Sequence, residues 1–107
     1  MLNQNSIIYS SLMDEYRRNA QMQELSERII EESPKGSMQR VERGSRSYYY
    51  LKYRDGAKVE SSYLGLLDDN KAEEIRRQIE KRRKHEAILK DLKTEAKWLK
   101  RELHIDD

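Results

Sequence analysis

The sequence predicts an α+β protein: a long N-terminal helix, a small antiparallel β-hairpin or three-stranded meander, and a long C-terminal helix, with the helices paired as a coiled coil. Three observations lead there. Apolar residues recur at helical spacing in the first and last thirds, an aromatic run flanks an Asp-Gly pair in the middle, and Pro34, Gly36 and Gly65 mark the joints. The 107 residues suit one small domain, 1–107. With 39% charged and 36% hydrophobic residues, its core must be thin.

The first helix is expected over about residues 6–33. Ile8, Leu12, Tyr16 and Ala20 follow at steps of four, then Met22, Leu25 and Ile29 at steps of three and four, forming one amphipathic stripe. Ser6 or Ser11 is positioned to cap its start, and Pro34 disfavours helical geometry at Ser33, so the helix ends there after about 40 Å.

The middle region, 37–64, centres on a hairpin. Tyr48 to Tyr53 and Ala57 to Leu64 flank Arg54-Asp55-Gly56. Two registers compete, and a slip of one residue exchanges the faces of a strand. A two-residue Asp55-Gly56 turn mixes apolar and charged residues on both faces. A three-residue turn, Arg54 to Gly56, pairs Leu51 with Val59 and Tyr49 with Ser61. Tyr49, Leu51, Tyr53, Val59 and Tyr63 then share a face toward the helices, while Tyr48, Tyr50, Lys52, Lys58 and Ser62 point outward with Arg54 at the tip. This second register is the expected one. Ser37 to Arg43, where only Met38 and Val41 are apolar, is either a further strand before Gly44-Ser45, completing a three-stranded meander, or a lead into the hairpin without strand structure, and the sequence leaves the two open.

The last helix is expected over about 70–104, with Asp69 or Asn70 as N-cap and Glu73 and Glu74 in the first turn, where carboxylates meet the positive end of the helix dipole. Ile75, Ile79, Arg82, Glu86, Leu89, Leu92, Ala96, Leu99 and Leu103 follow steps of three and four, close to a coiled-coil seam that weakens at Arg82 and Glu86. About 50 Å of helix with so little apolar surface is not stable alone, so it must pack on the first helix or on a second copy. Antiparallel pairing within the chain is the default, and a homodimer through the helices is expected in addition.

Charge narrows the function classes. Twenty-two basic and twenty acidic residues leave +2, unlike a histone-like protein or an acidic DNA mimic. The balance is local: Met1 to Pro34 carries −3, Lys35 to Leu64 carries +4 and the remainder +1. With no cysteine there is no disulfide framework or thiolate chemistry, and no stretch approaches the roughly 18 apolar residues of a membrane span. A soluble cytoplasmic protein without cofactor is expected. His85 and His104 lack metal-ligand spacing and are read as solvent-exposed, His104 beside Asp106 and Asp107 in a fraying tail. No phosphate loop, nucleophile elbow or paired carboxylates stand out, so no enzymatic activity is expected. The run Lys81-Arg82-Arg83-Lys84, bracketed by Glu80 and Glu86, reads as a solvated helix face rather than a DNA contact.

What remains is the outward hairpin face. Lys and Arg attract phosphate through charge and counterion release, and tyrosine rings stack on bases or pack on sugars. Tyr48, Tyr50, Lys52, Arg54 and Lys58 are therefore the candidate binding residues. The alternative is that the tyrosines simply suit strands and the lysines keep the edge soluble.

The segments Glu32-Ser33-Pro34-Lys35-Gly36-Ser37 and Tyr48-Tyr49-Tyr50-Leu51-Lys52-Tyr53-Arg54-Asp55-Gly56, followed by a charged helix, resemble a group of short uncharacterised bacterial and phage proteins. That group has a Pro-Lys-Gly turn, a Tyr-Tyr-Tyr-Leu hairpin and a long C-terminal helix. The resemblance covers roughly residues 32 to 103 and departs at Ala57, where the group has a second glycine. It implies the architecture and no activity. Through the mobile elements that carry such genes, it also points to nucleic acid, or to a nucleic-acid-handling complex of host defence blocked in anti-CRISPR fashion, as the partner.

Overall fold

The computed structural model describes residues 6–105. Helix α1 (Ile7–Glu32) is followed by strands β1 (Ser37–Arg43), β2 (Arg46–Asp55) and β3 (Lys58–Leu66), and helix α2 (Asp69–Leu103) ends the order. The strands form an antiparallel meander, β1-β2-β3. The α+β expectation holds, and of the two alternatives for the middle region it is the meander that forms, with Ser37–Arg43 as a strand. Among the described residues, no helix is long and apolar enough to cross a membrane.

Local hydrogen bonds explain the helix ends. Tyr9 N donates to Ser6 Oγ at 2.9 Å, so Ser6 is the cap of α1. The cap of α2 is Asp68, one residue before the expected Asp69: its Oδ1 accepts from Lys71 N at 2.8 Å and its carbonyl from Ala72 N. At the other end Ile105 N bonds to Lys100 O and His104 N to Arg101 O, with His104 at φ 53°. These are the two bonds of a Schellman closure, with histidine at the left-handed position that favours glycine. His104 thus terminates the helix; the expected fraying at Asp106 and Asp107 lies outside the described residues. His104→Gly is expected to stabilise the protein by about 1 kcal/mol by removing the left-handed penalty, read as a higher urea midpoint.

The chain forms two compact units, one from α1 through Ile30 with α2 from Lys84 onward, the other Glu31–Arg83. In the helical unit Leu92, Ala96, Leu99 and Leu103 are buried, as their spacing predicts. The stripe of α1 differs from expectation at its first residue, Ile8, which is exposed in the opening turn, and again beyond Tyr16. Asn19 and Ser26 are buried and Gln23 is half-buried, whereas Ala20, Met22 and Leu25 are exposed. The sequence Leu12, Tyr16, Asn19, Gln23, Ser26, Ile30 keeps steps of three and four, but its middle is polar, which an apolar stripe search passes over. These polar groups are satisfied, as burial requires. Asn19 Nδ2 donates to Leu92 O at 2.8 Å, Gln23 Nε2 donates to Asn19 Oδ1 at 2.7 Å, and Ser26 Oγ lies 3.1 Å from His85 Nδ1. His85 is therefore half-buried and hydrogen-bonded rather than a free surface histidine, while the expected seam residue Glu86 is exposed.

In the sheet unit the buried apolar residues are Tyr49 and Leu51 from β2 and Ala72 and Ile79 from α2. The face of β2 carrying Tyr49 and Leu51 is therefore the inner, buried face of the sheet. Two arginines of the charged helix run fasten the segment entering β1. Arg82 donates to Ser33 O at 2.8 Å, and Arg83 donates to Gly36 O and Ser37 Oγ. Gly36 has φ +114°, and a Cβ there would overlap the Lys52 carbonyl oxygen and lie 2.9 Å from Tyr53 Cβ. The Pro-Lys-Gly turn is thus closely seated on β2.

Candidate nucleic-acid interface

The composition of the two sheet faces follows from register, and the register differs from both sequence alternatives. Asp55 pairs with Lys58, Arg54 with Val59, Tyr53 with Glu60 and Tyr50 with Tyr63, leaving Gly56-Ala57 as a two-residue turn. Gly56 has φ +64°, whereas Ala57 is not positive. A positive φ at the first central position alone is the type II′ pattern, whose twist matches the flanking strands, and it sets Asp55 opposite Lys58 as an oppositely charged pair. Gly44-Ser45 makes the corresponding two-residue turn between β1 and β2, where Arg43 pairs with Arg46.

Residues directly opposite one another share a face. Val59 and Tyr63 therefore lie with Tyr50 and Arg54 on the outer face, not with Leu51 as expected, and they are 65% and 56% exposed. Ser62 lies opposite Leu51 on the inner face rather than outward. A bulge falls where pairing shifts between Tyr49 and Tyr50: Tyr49 pairs with Gly65 and Tyr50 with Tyr63, so Leu64 is the extra residue. Without it Leu66 would share the inner face; with it, Leu66 pairs with Tyr48 and is exposed on the outer one.

The outer face thus consists of five cross-strand rows. Arg43 and Arg46 form the first, Val41, Tyr48 and Leu66 the second, Gln39, Tyr50 and Tyr63 the third, Ser37, Lys52 and Ser61 the fourth, and Arg54 with Val59 the fifth. Its second and third rows carry three tyrosines with Val41, Leu66 and Gln39, and the rows on either side carry four cations, Arg43 and Arg46 in the first, Lys52 in the fourth and Arg54 in the fifth. It contains no carboxylate, because Glu42, Asp55 and Glu60 all lie on the inner side by register. There Glu42 is engaged by Arg40 at 2.8 Å, and Arg40 also donates to Ser47 Oγ. Arg43, Arg46, Lys52 and Arg54 make no ion pair among the described residues. The rings of Tyr50 and Tyr63 are 5.1 Å apart and inclined at 50°.

Comparison adds no identity. No family model, curated protein or solved structure matches the chain.

Of the five candidate residues, Tyr48, Tyr50, Lys52 and Arg54 come together on the outer face. Lys58 does not, because the two-residue turn gives it the parity of Glu60 and Ser62. Sequence reasoning missed Arg43, Arg46, Tyr63 and Leu66. Strict alternation backward from Tyr48 points to Arg46, but the others depend on pairing and on the bulge. The run Lys81 to Lys84 divides between roles, since Arg82 and Arg83 hold the turn before β1.

Proposed function

We propose that this protein binds nucleic acid, without catalysis, through the outer face of its sheet. The observation that carries the reading is the sorting of charge: four cations and three tyrosines share one face, and the carboxylates of the same strands lie on the other. Cations free of local carboxylates attract phosphate without internal competition, and counterion release makes such binding salt-dependent. Half-buried Tyr48 and Tyr50 and exposed Tyr63 supply apolar area for sugars and bases.

The test is the slope of log affinity against log salt, measured by anisotropy with labelled single-stranded and duplex DNA and RNA. Replacing Arg43, Arg46, Lys52 and Arg54 by alanine should lower the slope by roughly 3 units, four phosphate contacts at about 0.7–0.9 each. Lys58→Ala should leave it unchanged. No saturable binding of any of the four nucleic acids at about 50 mM salt sinks the reading, since even non-specific binders reach 10⁻⁴ to 10⁻⁶ M near physiological salt. Docking of the same cations onto an acidic protein, as an inhibitor of a nuclease complex, then becomes the better account.

A further inference from the structure

Resting on that reading, we infer that the ligand is an unpaired strand, held with two or three bases on the tyrosine rows and its phosphates at the cationic rows on either side. The layout along β2 carries this. Arg46 and Lys52 are six residues apart, about 20 Å at the rise of a strand, and Arg54 extends the span to about 26 Å. Between them Tyr48 and Tyr50 stand about 7 Å apart along the strand, with Tyr63 directly beside Tyr50.

A duplex meets such a surface poorly. It presents phosphates along its whole length and keeps its base faces covered by their neighbours, so the tyrosine rings gain no stacking and cations confined to the rows on either side reach few phosphates. An unpaired strand meets it well. Its bases splay out, stack on aromatic side chains and leave their edges free for hydrogen bonds, and sheet-borne aromatics of this kind take two or three bases. The 50° inclination between Tyr50 and Tyr63 sharpens the point. The two rings cannot both lie flat beneath one continuous base stack, but they offer platforms in different planes to bases that have come apart. Gln39 and Ser61, in the rows of Tyr50 and Lys52, supply donors and acceptors for base edges. The acidic-peptide alternative explains the cations and leaves the tyrosine rows unused.

The experiment compares the full chain's affinity for a labelled ten-nucleotide DNA, the same sequence as RNA, and both as duplexes, at one salt concentration. At least one single strand should bind tenfold or more tightly than its duplex, and whichever of DNA or RNA binds better identifies the sugar. Tyr50→Ala and Tyr63→Ala should each weaken single-strand binding by about 5- to 150-fold, the range of one lost base stack, and leave duplex binding within about twofold. Circular dichroism checks that each variant keeps its fold, and the selectivity itself is read on the unaltered chain. Equal or tighter duplex binding overturns the unpaired-strand inference while the nucleic-acid reading stands. Absence of binding to all four overturns both.

Discussion

Tyr49→Ala is expected to cost about 3–5 kcal/mol, the range for deleting a large aromatic ring from a core, and to be the most damaging side-chain truncation in the sheet unit. Tyr49 is 2% exposed, and with Leu51, Ala72 and Ile79 it makes up the buried apolar centre of that unit. So small a core has no spare contacts, and a loss of that size is a large share of the 5–15 kcal/mol that holds a typical domain. Val59→Ala is the informative partner. If Val59 lay on the inner face beside Leu51, as a three-residue turn requires, its truncation would cost about 1–2 kcal/mol; exposed on the outer face, it should cost less than about 0.5 kcal/mol. Urea midpoints followed by far-ultraviolet circular dichroism measure both. Similar shifts for the two variants would mean that the register described for β2 and β3 is wrong.

Gly36→Ala should be nearly as severe, at about 2–4 kcal/mol, although it adds a single methyl group. Two costs combine: a left-handed φ that alanine adopts with strain, and an overlap with the Lys52 carbonyl, which is backbone and has no rotamer to escape into. Relief requires β1 to lift from β2. The damage should therefore be local, with amide exchange accelerated first along the β1–β2 ladder, from Ser37–Lys52 to Arg43–Arg46. Neighbouring Lys35 is exposed, and Lys35→Ala should leave the same amides protected. Unaltered protection in Gly36→Ala would show that the turn is not seated on β2 in solution.

The tyrosines show why the proposed binding face is only partly legible in the sequence. Tyr48, Tyr49 and Tyr50 are consecutive, so they put aromatic rings on both faces of β2 and carry no signal of parity. On β3, Val59 and Tyr63 look like the inner set because they are more apolar than Glu60 and Ser62. Yet β3 is an edge strand on which Glu60 is only half-buried and Ser62 exposed, so burial there is too weak to select a register by hydrophobicity. The turn made the choice, through the left-handed φ at Gly56. In α1 the difficulty is similar: Asn19 and Ser26 are polar by any scale and become seam residues only because Leu92 O and His85 stand opposite them.

Local signals in the sequence place the elements and their ends to within a residue or two: helix, three strands, helix, with breaks at Pro34 and Gly44 and, past Gly65 near the end of β3, at Leu67-Asp68. Those choices rest on periodicity, caps and breakers, which act between residues a few positions apart. Tertiary structure alone decided which residues share a face. The extra residue at Leu64 and the polar contacts between the helices join positions distant in the chain, and the two-residue turns at Gly44 and Gly56 set strand registers that the apolar pattern of the strands does not reveal. The gathering of Arg43, Arg46, Lys52 and Arg54 with Tyr48, Tyr50 and Tyr63, and the exclusion of Glu42, Asp55 and Glu60 from their side, are consequences of that pairing. One residue of slip between β2 and β3 would move Glu60 onto the outer face and remove Tyr63 from it, because neighbouring side chains of a strand point to opposite sides.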